Sequence, residues 1–334
     1  MTSTAGFIGS NLVDALLAAG GTVTIFDNLS RGGSELNRAW LEGRHRDRLR
    51  FVHGDVRDAT AVEEVMAGAG VVYHLAGQTA VTTSIADPRA DFEANALGTL
   101  NVREAARRAP VRPIVVYAST NKVYGSLEHL GIVERETRYD FAELEAGIDE
   151  TQPVDLQSPY GCSKGAAEFY VRDYHRLFGV PTIAFRQSCI YGPRQLGIED
   201  QGWVGWFVRA AILGDDITIF GDGKQLRDLL YVDDLVDAYL RAVDRIETTA
   251  GEVYNIGGGR FRTVSVWREF GPLLAKIVAR DVVPAHQVAA RPSDQKVFYC
   301  DNRKAERELA WQPTVGVEDG LEALAAWVRA EAGS

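Results

Sequence analysis

Thr4-Ala5-Gly6-Phe7-Ile8-Gly9-Ser10-Asn11, followed by Val23-Thr24-Ile25-Phe26-Asp27, is the stretch from which the rest of the chain is read. Two glycines flank an apolar pair directly ahead of an amphipathic segment, 11–19, whose Leu12, Val13, Leu16 and Leu17 share one helical face. A loop of this kind aims backbone N–H groups at a pyrophosphate, and its glycines allow close approach. About twenty residues downstream, a β-branched run ends in Asp27. A carboxylate there accepts both hydroxyls of an adenosine ribose and repels a ribose phosphate, which selects NAD over NADP. Gly54-Asp55-Val56 follows the next apolar run and sets a second acidic side chain where an adenine amino group can meet it. Gly6, Phe7, Ile8, Gly9, Asp27, Asp55 and Val56 therefore form a candidate NAD site.

Outward from this stretch, the runs 22–26, 49–53, 71–75, 114–118 and 182–186 read as buried strands, alternating with helical segments such as 11–19 and 91–108. That alternation predicts an α/β fold: a Rossmann-type doubly wound parallel sheet. From about Gln187 the elements shorten around glycine-rich joints (Gly192-Pro193, Gly221-Asp222-Gly223, Gly257-Gly258-Gly259) and end in a helix over 317–329. The expected division is an NAD-binding domain of residues 1–186, with 229–257 returning to it. Residues 187–228 and 258–334 then form a smaller α/β cap domain. A chain of 334 residues is long enough for two such units.

Composition excludes several classes. With 36 Lys and Arg against 46 Asp and Glu, the net charge of −10 repels phosphate backbones, so no nucleic-acid partner is expected. The basic cluster Arg44, His45, Arg46, Arg48 and Arg50 reads as a solvated loop. Cys162, Cys189 and Cys300 are odd in number and widely spaced, so neither a disulfide framework nor a metal site is indicated. No apolar run approaches membrane-span length, and there is no signal-peptide pattern. The expectation is a cytoplasmic protein with no membrane partner and no metal.

Tyr160-Gly161-Cys162-Ser163-Lys164 opens a long helical segment, and a spacing of four puts Tyr160 and Lys164 on one face. A free tyrosine titrates near about 10, so service as a base near neutrality requires lowering by about 3 units, or roughly 4 kcal/mol. A lysine ammonium and a nicotinamide cation close by favour the phenolate. Thr120, at the C-terminal end of the 114–118 strand where open α/β sheets bind ligands, can hold a substrate alcohol.

The glycine loop, Asp27, Thr120 and the Tyr160-to-Lys164 motif resemble the extended short-chain dehydrogenase/reductase family of nucleotide-sugar enzymes, over essentially the whole chain. His74-Leu75-Ala76-Gly77-Gln78, Ser119-Thr120-Asn121-Lys122-Val123-Tyr124-Gly125 and the tryptophan-rich run Asp200-Gln201-Gly202-Trp203-Val204-Gly205-Trp206-Phe207 are similar to its CDP-tyvelose (CDP-paratose) 2-epimerase branch. The resemblance implies NAD as cofactor, a nucleotide-diphosphate sugar as substrate, and inversion of carbon 2 through transient oxidation to a 2-keto sugar. It implies further cofactor contacts from Asn28, Ser30, Arg31, Leu75, Ala76, Gln78, Asn95 and Gln187, besides Tyr160 and Lys164. Implied substrate contacts are Thr83, Thr120, Asn121, Ser188, Cys189, Trp203, Val204, Phe220, Gln225, Arg227, Arg291 and Asp294. Arg227 and Arg291 would clamp the diphosphate; Phe220 would stack on the base or sit in the core. Relatives form dimers, so a homodimer or homotetramer is expected.

Alternatives stay open at this point. A 4,6-dehydratase of this family carries an acid and a base, typically Asp-Glu, after its threonine; here Asn121-Lys122 stand there, and an amide transfers no proton near neutrality. A 4-epimerase, or a catalytically silent NAD-binding protein, is compatible with the same motifs. The fold also places a buried central strand before the glycine loop, and the family pattern has Gly where this chain has Ser3 and Thr4. Losing such a strand forfeits on the order of ten backbone hydrogen bonds at roughly 1 kcal/mol each. The expectation is a fuller form with about six more apolar residues ending in Thr-Gly-Gly or similar.

Overall fold

A computed structural model describes residues 1–2, 4–199, 202–291 and 294–333. The expected strands form as Val23–Asp27, Leu49–His53, Val71–His74, Ile114–Thr120 and Thr182–Gln187, and Val253–Ile256 returns to the edge beside Thr182–Gln187. All pair in parallel, Leu49–His53 with Val23–Asp27, and the other four in the order Val71–His74, Ile114–Thr120, Thr182–Gln187, Val253–Ile256. Met1 and Thr2 lie between these two rows. Thr2 bridges Phe26 on one side and His74 on the other. The bonds are Phe26 N–H to Met1 O (2.8 Å), Thr2 N–H to Tyr73 O (3.0 Å) and Leu75 N–H to Thr2 O (3.2 Å). Where a full central strand is expected, these two residues therefore join one sheet, and the Thr2 hydroxyl adds a 2.7 Å hydrogen bond to His74 Nδ1. Ser3 lies outside the described residues.

Side chains alternate across the sheet, and helices cover both faces. Val116 and Ile183 point into a core shared with the helices Phe7–Ala18 and Val232–Asp244, through Leu12, Leu235 and Tyr239. Their neighbour Val115 faces the opposite way, toward Val62, Met66, Val102 and Tyr174 of the helices Ala59–Met66, Gly98–Arg108 and Ser158–Phe178. The predicted 91–108 helix is interrupted. Pro88–Phe92 runs into a π-helical turn, Glu93–Leu97, before the regular Gly98–Arg108, and that turn carries Asn95.

The cap has its own core, where the Trp203–Leu213 and Val317–Ala332 helices meet through Val204, Phe207, Leu321 and Leu324. Leu226–Tyr231 is the seam. Its first half pairs with Thr263–Ser265 and Val297–Phe298, and its second half pairs with Cys189–Tyr191. Residues 303–311, assigned to the cap from sequence, pack instead on the Rossmann side: Ala305, Leu309 and Trp311 join the Leu12 and Tyr239 core. Trp311 anchors there by donating to Asp234 O at 2.8 Å. Among the described residues no helix is long and apolar enough to cross a membrane.

One buried group opposes this packing. Arg103 is fully buried, and none of its guanidinium nitrogens has a hydrogen-bond partner among the described residues. Its nearest aromatic face is Tyr117, at 5.9 Å, and burial pulls its pKa down to about 9. Replacing an uncompensated buried charge by an apolar residue removes its desolvation cost. Arg103→Leu is expected to raise stability by about 1–4 kcal/mol in urea unfolding. A loss of stability would mean that the guanidinium is compensated in solution.

Candidate active site

Gly6 precedes the first turn of Phe7–Ala18, so backbone N–H groups converge at a helix N-terminus. The turn is tight enough that a Cβ on Gly9 would lie 2.2 Å from Thr4 Cα, which only glycine tolerates. Gly6, Phe7, Ile8, Gly9, Arg31, Leu75, Gln187, Tyr160 and Lys164 line one cavity of about 170 Å³. Asp27 closes its strand there, with its two carboxylate oxygens taking N–H bonds from Leu29 (2.8 Å) and Ala5 (3.0 Å). Burial nevertheless raises its pKa. Asn28 donates to Asp55 (2.8 Å) and accepts from Ser30 N–H (3.1 Å), while Arg57 holds Asp55 well below the usual carboxylate range. Val56 and Ala76 are buried in the core beneath, and Gln78 bonds back to Ala80. Asn95 donates to Asp91 and Ser163 (both 3.1 Å), and its buried Oδ1 has no partner among the described residues. A Cβ on Gly77 would lie 2.4 Å from that oxygen.

The segment after Tyr191 straps this cavity. Asn11 and Asn37 donate to Pro193 O (3.1 Å) and Arg194 O (3.3 Å), and Leu196 presses on Gly33, where a Cβ would lie 2.0 Å from its Cδ1. Glycine cradle, helix N-terminus and strand-end carboxylate together suit a dinucleotide.

Thr120 caps the end of Ile114–Thr120, and Tyr160 lies in the first turn of Ser158–Phe178. Pro159 at the start of that helix costs no backbone bond. Tyr160 and Thr120 are both buried and line the same cavity, where the Thr120 hydroxyl favours the Tyr160 phenolate. Lys164 donates to Ala118 O, with its Nζ 4.4 Å from the Tyr117 ring. The sequence reading has Lys164 drawing the Tyr160 pKa down. The protein's own groups do the reverse: burial pushes Tyr160 up to about 12 against the Thr120 hydroxyl, with Asp91 adding to the rise. Burial also lowers Lys164 to about 7, although Asp91 and Glu168 hold its proton. Bound NAD would supply here both a hydride acceptor and the positive charge that the phenol lacks.

A second cavity, of about 390 Å³, adjoins the first and shares Phe7, Ile8 and Tyr160 with it. Thr120, Asn121, Ser188, Cys189, Trp203, Val204, Phe220, Gln225, Arg227, Arg291 and Asp294 all line it. Thr83 does not. It is exposed on the Val81–Ala86 helix, and the neighbouring Thr82, whose buried Oγ1 has no partner among the described residues, lines the cavity in its place. Arg227 pairs with Asp294 at 2.8 Å, and Arg291 stacks on Phe220 with 3.9 Å to the ring centroid. Gln225 donates to Phe220 O (2.8 Å), Ser188 bonds to Asp228, and burial raises the Cys189 thiol. Asn121 donates to Gln295 at 3.2 Å. Asp200 and Gln201 of the tryptophan-rich run lie outside the described residues.

Sequence reasoning missed Lys122, Thr82, Asp91 and Glu168. Glu168 had a signal, since it extends the Tyr160, Lys164 series by a further four residues on one helix face. Asp91 precedes Asn95 by four in the same way.

A glycine cradle opening onto a Thr-Tyr-Lys constellation, with a polar second cavity beyond it, defines an enzyme that moves a hydride to and from a sugar-like alcohol. A model of the NAD dependent epimerase/dehydratase family matches residues 1–257, and the chain belongs to that family. It is 41% identical to a CDP-paratose 2-epimerase of Salmonella typhi, over 98% of each chain. It is 34% identical to a UDP-glucose 4-epimerase of Mycolicibacterium smegmatis, over 96% of this chain and 95% of that one. Among solved structures, the dTDP-glucose 4,6-dehydratase of Streptomyces venezuelae with NAD and TYD bound superposes with a TM-score of 0.85. It is 31% identical, covering 99% of this chain and 97% of that one. This is an NAD-dependent enzyme of the nucleotide-sugar epimerase/dehydratase type.

The depressed Lys164 pKa has a measurable consequence. Between about 7 in the folded protein and 10.5 in the unfolded chain, only the unfolded chain holds that proton, so this group makes stability rise with pH across that window. In cofactor-free protein, Lys164→Met is expected to flatten this rise in urea-unfolding free energy. An unchanged pH slope would contradict the buried, weakly basic Lys164.

Proposed function

We propose that the enzyme inverts carbon 2 of a nucleotide-linked hexose of the CDP-paratose and CDP-tyvelose type. The observation that carries this is the chemistry beside Thr120. The two following positions hold Asn121, tied to Gln295, and Lys122, tied to Asp294 at 3.2 Å. Neither is the carboxylic acid and base pair that water elimination needs, so oxidation and return at a single carbon is the reaction these residues suit. The 41% identity to a CDP-paratose 2-epimerase supports carbon 2 as that carbon.

In this reading Thr120 holds the carbon 2 hydroxyl and Tyr160 takes its proton, while Lys164 would hold the nicotinamide ribose. NAD held in the glycine cradle would supply the hydride acceptor for carbon 2 and the donor for its return, so net redox change is zero. The planar 2-keto sugar turns over within the second cavity, and Tyr160 returns the proton to oxygen. Arg227 and Arg291 hold the diphosphate meanwhile.

With CDP-paratose in deuterated water, NMR is expected to show inversion at carbon 2 with no deuterium incorporated and no cofactor added. Tyr160→Phe should cut turnover by about 10²–10⁴-fold while NAD stays bound. Inversion of UDP-glucose at carbon 4, with CDP-sugars untouched, would make the enzyme a 4-epimerase.

Cytoplasmic location and self-association belong to the same proposal. Phe169, Tyr170 and Leu177 are exposed along Ser158–Phe178, giving that helix an exposed apolar set. We assign this set to a second copy, as a homodimer or a tetramer built from it. Light scattering should report a monomer for Phe169→Glu; a wild-type monomer at micromolar concentration would refute the assignment.

A further inference from the structure

Lys122 is the one basic residue lining the second cavity that the family motifs leave without a task. It sits two residues beyond Thr120, in the 3-10 turn Asn121–Tyr124, and its own N–H bonds to the Thr120 hydroxyl at 3.2 Å. The side chain reaches from the catalytic strand end to the cap. There its Nζ and Arg227 Nη2 meet the same oxygen, Asp294 Oδ1, at 3.2 and 2.8 Å. Although burial raises a carboxyl, these two cations bring Asp294 down to about 2. An ammonium has three N–H donors, and among the described residues Lys122 finds one acceptor, while the side chain is only 25% exposed. Lys122 lines a cavity whose wall also carries Arg227, and a partly buried ammonium favours further acceptors there.

We propose that Lys122 is a substrate-binding residue that takes an oxygen of the sugar-side, β-phosphate of a nucleoside diphosphate. It shares that group with Arg227, and Asp294 holds the two cations side by side until the phosphate arrives. The sugar-side phosphate is assigned because Lys122 projects from the turn that begins at Thr120, which holds the sugar alcohol in the proposed function on which this inference rests. A charge-assisted bond to phosphate in a partly desolvated site is worth roughly tenfold or more in affinity.

The test is calorimetric binding of CDP and of CMP to the NAD-loaded enzyme. Wild type should favour CDP over CMP. Lys122→Met should lose about tenfold or more of CDP affinity while leaving CMP affinity and NAD content unchanged, and Lys122→Arg should restore most of the loss. Lys122→Gln serves if the methionine variant loses NAD or cooperative unfolding. If Lys122→Met loses CMP affinity as much as CDP affinity, Lys122 only holds the cavity wall in place and the proposal falls. An unchanged CDP to CMP ratio in Lys122→Met overturns it alone. Failure of wild type to bind either CDP or UDP overturns it together with the nucleotide-sugar reading.

Discussion

The arrangement of this active site depends on one buried ion pair, Glu168 with Arg186. Their side chains are 2% and 4% exposed and meet through several hydrogen bonds, the shortest of 2.6 Å. Glu168 belongs to the helix that carries Tyr160 and Lys164, and Arg186 to the strand beside the one that carries Thr120. Glu168 also accepts from Ser119 at 2.6 Å, one residue before Thr120, and Arg186 donates to Tyr124 at 2.8 Å, just beyond the Lys122 turn. Tyr124 in turn donates to Asn255 at 2.8 Å on the edge strand. Breaking such a pair costs about 3–5 kcal/mol, because a lone charge is left in the interior. The cost fixes the helix face against the strand end, which is what brings Tyr160 and Thr120 to the same cavity.

The fold was legible because period-2 and period-3.6 patterns and the glycine punctuation are local properties of the chain. Strand limits drifted by a residue or two, as at Ile114–Thr120, since the last paired residues are chosen by a neighbour rather than by their own propensity. Three features needed the third dimension. The placement of 303–311 follows from Trp311 finding a carbonyl on the Val232–Asp244 helix, a contact with no local signature. The choice between Thr82 and Thr83 turns on which side of a six-residue helix faces the cavity. The two-sided pairing of Thr2 depends on strands that lie far away in sequence.

Within the site, motif reading names residues that, Thr83 apart, line the second cavity, but it carries no measure of how burial acts on their charges. A lysine four residues from a tyrosine suggests mutual polarisation, yet burial dominates both groups: it raises Tyr160 to about 12 and lowers Lys164 to about 7. Spacing along a helix is blind to desolvation, which depends on everything packed around the pair. The same site carries both a lysine of weakened basicity and a phenol that resists ionisation, so a cation bound beside Tyr160 would favour its phenolate.

Leu196, lying on Gly33 and held by Asn11 and Asn37 through the adjoining backbone, covers part of the cofactor cavity. A dinucleotide held beneath that strap would face the neighbouring cavity, which shares Tyr160 with its own. For an out-and-back reaction, the balance between starting and product sugar is then set by the intrinsic stabilities of the two stereoisomers. Shifts in the surrounding pool of oxidised and reduced nicotinamides would leave that balance untouched, and the enzyme would work the same in a starved cell as in a fed one.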